Sequence, residues 1–91
     1  MTRQRYAVYY SGDVQGVGFR YTACRMAERF DITGFVRNLP DGRVQLLAEG
    51  PADQLARFLE DLASDLAGYI RSRQLDRQEA TGEFTDFSLR R

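Results

Sequence analysis

Two residues in this chain of 91 stand where chemistry is most readily done: an arginine that closes a glycine-rich loop and an asparagine just ahead of a turn. The first is Arg20, at the end of Ser11-Gly12-Asp13-Val14-Gln15-Gly16-Val17-Gly18-Phe19-Arg20. Glycines at 12, 16 and 18 allow positive φ and a close approach of backbone to ligand, so that successive N–H groups can converge on one oxyanion. Arg20 adds a planar fork of donors suited to two phosphate oxygens. The second residue is Asn38, in Thr33-Gly34-Phe35-Val36-Arg37-Asn38-Leu39-Pro40-Asp41-Gly42-Arg43-Val44. Its carboxamide carries one acceptor and two donors, enough to orient a water; a turn-capping role before Pro-Asp-Gly is the alternative.

The spacing excludes the commoner phosphate loops. A nucleotide P-loop needs a lysine and a magnesium-binding hydroxyl after its last glycine, and this loop has neither. Gly16 and Gly18 make Gly-x-Gly, but position 21 is tyrosine where the dinucleotide fingerprint wants glycine. With no histidine and one cysteine, Cys24, the chain cannot assemble a Cys/His zinc site, a Ser-His-Asp triad or a disulfide. Cys24 lies beside the apolar face of the first helix and is expected to act as a small buried hydrophobe.

These groups need elements to hold them. Tyr6-Ala7-Val8-Tyr9-Tyr10 is aromatic and β-branched, which predicts a strand over 6–12. Ala23, Met26, Ala27 and Phe30 recur at helical spacing and predict a helix over 21–30. Its free N–H groups and positive dipole end would face the loop. Strands follow at 34–39 and 43–49, then a helix over 51–66 with Leu55, Phe58, Leu59, Leu62 and Leu66 in one stripe. Pro51 suits the first turn of that helix, and Gly68 helps to end it. Strands near 70–78 and 84–89 complete the chain. Arg71, Arg73, Asp76 and Arg77 break any alternation in the first of these, as expected of an exposed edge that must not pair with another molecule. The order β-α-β-β-α-β is a split βαβ, an α+β ferredoxin-like arrangement with two helices on one face of an antiparallel sheet.

Val14-Gln15-Gly16-Val17-Gly18-Phe19-Arg20, together with Gly34-Phe35-Val36-Arg37-Asn38 and Asp41-Gly42-Arg43-Val44, resembles the two signature motifs of the acylphosphatase family. The match is strong over residues 6–50, with a weaker echo in Gly50-Pro51 and in Gly82 to Phe87. The resemblance implies the same ferredoxin-like fold, one acylphosphatase-like domain over 1–91, and hydrolysis of the carboxyl-phosphate bond of small acyl phosphates. It assigns phosphate binding to Arg20 and water positioning to Asn38. The binding loop is then Gln15, Gly16, Val17, Gly18, Phe19 and Arg20, with Gln15 and Val17 acting through backbone geometry and Phe19 through the core. In that family position 13 is usually basic, so Asp13 is a departure that would weaken phosphate binding if it faced the site.

Chemistry agrees with so short a set of residues. The carboxylate expelled from an acyl phosphate has a conjugate acid with a pKa of about 4, like an aspartate, so no general acid is needed. What remains is to neutralise the phosphoryl oxygens and aim a water at phosphorus. No metal and no cofactor are expected. Arg37 and Arg43 flank these residues, but strand alternation sends Arg37 to the face opposite Asn38, and both stay outside the expected site.

Thirteen basic and thirteen acidic residues cancel, so nothing in the overall charge attracts nucleic acid or an anionic membrane. A base-stacking RNA domain of this strand order needs aromatics on its third strand, and Arg43-Val44-Gln45-Leu46-Leu47-Ala48-Glu49 has none. No stretch approaches a membrane span or a signal peptide. The expected partners are a small acyl phosphate and inorganic phosphate, as product and competitive inhibitor, in a cytoplasmic monomer. A noncatalytic ferredoxin-like module that binds a regulatory anion in the same cradle is the alternative.

Overall fold

The computed structural model describes residues 3–91. Its elements are β1 (Arg3–Gly12), α1 (Phe19–Ala27), β2 (Thr33–Asn38), β3 (Val44–Pro51), α2 (Ala52–Asp65), β4 (Ile70–Glu79) and β5 (Phe87–Arg90). The sheet runs in the order β4-β1-β3-β2-β5. The first four strands pair antiparallel and β5 joins β2 in parallel, so the sheet is mixed where a purely antiparallel one was expected.

Alternation along the strands divides the two faces. Tyr6, Val8 and Tyr10 of β1, Val36 of β2 and Val44, Leu46 and Ala48 of β3 form the main core with α1 and α2. The leucine-phenylalanine stripe of α2 is buried as its spacing requires. At the edge, β4 is exposed along nearly all of its length, and the charges of Arg73, Asp76 and Arg77 leave it soluble there.

Three elements, α1, α2 and β5, have boundaries that differ from the sequence reading for identifiable reasons. α1 starts at Phe19 because that ring is almost fully buried, its centroid 4.9 Å from that of Tyr10, and this contact draws the first turn onto β1. Its regular part ends at Ala27. Glu28, Arg29 and Phe30 donate instead to the carbonyls of Arg25, Met26 and Ala27, a tighter i→i−3 winding that still lets Phe30 reach Phe58. Pro51 is the extended N-cap of α2 rather than a residue of its first turn, and Leu66, not Gly68, is the C-cap.

The third difference lies on the outer face of the sheet. Phe84 packs on Phe35 in a small cluster with Ala7 and Leu47, so the last strand begins only at Phe87. The segment before it is clamped by Glu49, 1% exposed, which accepts from Arg5 Nε at 2.7 Å, from the N–H groups of Thr81 and Gly82 at 2.9 Å each, and from the Thr81 hydroxyl at 3.1 Å. Burial works to raise the Glu49 pKa, but the bonds from Thr81, Arg5 and Gly82 outweigh it and hold the carboxyl at about 2, below the ordinary 4.5.

A carboxyl depressed in the folded state stabilises the fold fully above its unfolded pKa and ceases to as pH falls through its folded one. Glu49 therefore contributes roughly 3 kcal/mol of stability at neutral pH that disappears between pH 4.5 and about 2. Chemical denaturation across that window should show Glu49→Gln less stable than wild type at pH 7, with the gap closing towards pH 2. A constant gap would mean that the charge of Glu49 is not what holds the clamp.

Candidate active site

β1 and β2 both pair antiparallel with β3, so they run parallel to each other and end on the same side of the sheet. Tyr10 pairs with Val44 and Val44 with Asn38, which sets the three in one row across the strands. Tyr10 therefore lies about 10 Å, two strand spacings, from Asn38, and the loop leaves β1 two residues further on, after Gly12. This crossing, a consequence of topology, brings residue 20 to residue 38.

The loop bends back through Gly16 and Gly18, at φ +80° and +77°. Gly18 is the left-handed N-cap of α1, and no side chain caps that helix. Nothing lies within 4 Å of where a Cβ would stand at either glycine, so a side chain there is opposed by backbone strain alone and the loop is open on that side. Among the described residues, no backbone carbonyl accepts from the N–H groups of residues 15–19. These donors are therefore left without a backbone partner, next to the positive end of α1. Gly12 has a different task from the one expected of it: a Cβ there would collide with the Tyr69 carbonyl, so this glycine serves the close approach of β1 to the start of β4, outside the cradle.

Arg20 is half-buried at the first turn of α1. Its Nη1 donates to the carbonyl oxygen of Arg90 at 2.9 Å, which fixes the plane of the guanidinium from the far end of the chain. It forms no ion pair with a carboxylate among the described residues, so its charge is not already neutralised. Val14, Gly16, Gly18, Phe19, Arg20 and Asn38 line one cavity of about 140 Å³, whose mouth is bordered by Tyr21 and Leu89.

Asn38 is half-buried, and its carboxamide makes no hydrogen bond with the described residues. The turn that follows is held by others. Asp41 accepts from the Arg43 N–H at 3.0 Å and pairs with Arg43 Nε at 2.8 Å, while Gly42 N–H donates to the Leu39 carbonyl at 3.1 Å. The turn-capping role therefore belongs to Asp41, and the Asn38 amide is left for the cavity. Gln15 does more than its backbone suggested: Nε2 donates to the carbonyls of Leu39 and Arg43, at 2.8 and 2.9 Å, and ties the loop to this turn.

The remaining charges stand away from the cavity. Asp13 is exposed and 3.7 Å from Arg71, a solvated pair of little consequence for an anion in the loop. Arg37 bonds Gln45 at 2.5 Å and Arg43 lies over the Tyr9 ring, both on the outer face of the sheet. Cys24 is partly buried, and burial, then Glu28, push its thiol up against the opposing charge of Arg20. It stays a protonated thiol rather than a nucleophile. No cluster of three or more carboxylate or thiol side chains that could hold a metal occurs among the described residues.

Sequence reasoning missed three features: the side-chain tether of Gln15, the Arg90 carbonyl that steadies Arg20, and the rim formed by Tyr21 and Leu89. Only Tyr21, adjacent to Arg20, carried a local signal. The others depend on contacts 24 to 70 residues apart in the chain.

The family model described as acylphosphatase matches residues 6–89. A protein named acylphosphatase from Methanospirillum hungatei is 43% identical over 89 residues, covering 97% of this chain and 98% of its own length. One of the same name from Methylococcus capsulatus is 45% identical over 90 residues, with 97% of each covered. The crystal structure of acylphosphatase from Bacillus subtilis superposes with a TM-score of 0.87 at 30% identity, covering 97% of this chain and 99% of that one.

Proposed function

Because the chain belongs to the acylphosphatase family and is a hydrolase acting on acyl phosphates, we propose that Arg20, the loop amides and Asn38 carry out the hydrolysis without a metal. The observation that supports this most directly is that one cavity of about 140 Å³ collects Arg20, Gly16, Gly18 and Asn38. The free nitrogens of Arg20 and the N–H groups of residues 15–19 hold the phosphoryl oxygens, in the ground state and more tightly as negative charge shifts in the transition state. Asn38 accepts from or donates to a water and sets it in line with the leaving oxygen.

Attack forms a bond from the water oxygen to phosphorus while the bond from phosphorus to the acyl oxygen breaks, its electron pair leaving with the carboxylate. The carboxylate departs unprotonated, since its conjugate acid is about as strong as aspartic acid. An amide is no base at neutral pH, so the water's proton passes to a phosphoryl oxygen of the substrate. Products are a carboxylate and inorganic phosphate. Phosphate fits the same cradle and competes with substrate. The reading places a monomer in the cytoplasm, without nucleic acid or membrane as partner.

Turnover of a small acyl phosphate in excess chelator tests the metal-free scheme. The rate should equal that in untreated buffer and should depend on Arg20. A rate that collapses in chelator and returns with magnesium or zinc would overturn it.

A further inference from the structure

The sheet ends on one side in β4, ten residues long, and on the other in β5, of four. β1 covers one side of β4, and no strand of the described residues covers the other. Every second residue of β4 therefore turns its N–H and C=O outward in the plane of the sheet, a template on which a further strand can pair. The proposed hydrolysis uses none of this edge.

Its side chains are sorted by face. Tyr6, Val8 and Tyr10 of β1 belong to the core under the helices, and their partners in β4 are Arg77, Leu75 and Arg73. Directly paired residues share a face, so these three stand in a row on the helix side. Leu75 is half-buried against the core, and both arginines are exposed. The guanidinium carbon of Arg77 lies 5.6 Å from the centroid of the Tyr6 ring. Neither Arg73 nor Arg77 forms an ion pair among the described residues. On the opposite face Ser72, Gln74, Asp76 and Gln78 carry no cation, so the positive charge is confined to one side of the edge. Antiparallel pairing with a second copy about Leu75 would set Arg73 opposite Arg77 twice over, and parallel pairing would set each arginine beside its twin. Like charges so placed repel. What complements the row is a carboxylate opposite each arginine and an apolar side chain opposite Leu75.

We infer that β4 is a docking edge for a partner protein that presents an extended segment of the pattern acidic-x-apolar-x-acidic, added to the sheet as one more strand. Main-chain bonds along the edge supply the attachment, and the two arginines select the sequence. The pattern reads the same in both directions, so parallel and antiparallel docking satisfy it alike. The charges that keep copies of this chain apart are the ones that recognise such a segment. The inference is independent of the hydrolytic site.

Fluorescence anisotropy at low salt with a labelled Thr-Glu-Thr-Val-Thr-Glu-Thr peptide tests it. The peptide should bind, and its analogue with glutamine at both glutamate positions should bind more weakly. Of two versions N-methylated on alternate residues, one should lose binding and the other keep it, which a purely ionic contact would not do. The double substitution Arg73→Gln with Arg77→Gln should weaken binding by roughly 2- to 30-fold, the range of two cross-strand charge pairs. Arg73→Glu with Arg77→Glu should instead prefer the peptide with lysine at both glutamate positions. Both variants should keep wild-type turnover of a small acyl phosphate, since neither residue lines the cavity. No binding by wild type, binding indifferent to the two arginines, or binding kept by both N-methylated versions overturns the docking edge. So does tighter binding of an oligothymidylate of the same length, which would make the row a phosphate contact, or a dimer of the free protein that the peptide dissociates, which would give the edge to a second copy.

Discussion

Arg20→Gln lowers kcat/KM for a small acyl phosphate by on the order of 10²- to 10³-fold, the scale for removing a positioned donor from developing negative charge. In the proposed mechanism the guanidinium serves bound phosphate as well as the transition state, so the substitution should raise the inhibition constant for inorganic phosphate along with lowering turnover. Arg20→Lys keeps the charge and still loses most of the activity. An ammonium cannot bridge two phosphoryl oxygens in a plane, nor can it hold a second oxygen pair while bonded to the Arg90 carbonyl as Nη1 is at 2.9 Å. Steady-state kinetics with phosphate inhibition decide the matter. Near wild-type turnover in Arg20→Lys would make Arg20 a distant electrostatic helper.

Asn38→Ala should cut turnover by roughly 10²-fold or more, as expected when a reactant loses its positioning, while phosphate inhibition stays close to wild type. The two substitutions thus separate by what each residue touches. Structure bears on the control as well. Asp41 and Gln15 hold the turn and the Asn38 carboxamide bonds nothing among the described residues, so the variant should fold with a melting temperature near that of wild type. A folded Asn38→Ala protein with full turnover would reject water positioning. One that loses phosphate binding as badly as Arg20→Gln would place Asn38 in the anion cradle.

Much of this was legible in the chain before any coordinates. Glycines at 16 and 18 permit the positive φ found there, because the lack of a Cβ is a property of the residue itself. The spacing of Leu55, Phe58, Leu59 and Leu62 commits one face of α2 to the core because helical periodicity is local too. Strand alternation likewise placed Arg37, which lies on the face away from the cavity, bonded to Gln45.

What depends on residues distant in sequence was settled by packing. Phe19 starts α1 two positions early because its ring is worth more against Tyr10 than in water, a contact that helical propensity does not contain. Phe84 leaves the last strand and covers Phe35 because an apolar patch lay open on the outer face. Asn38 offered water positioning or turn capping from sequence, and the turn is held by Asp41 instead. Residue types and periodicity therefore determined the elements, the cradle and the chemistry it suits, since these follow from sterics and charge within a few residues. Tertiary structure decided which side chains share the cavity, how Arg20 is steadied and what stands at the mouth, because those contacts exist only once β1, β2 and β5 are brought to one side of the sheet.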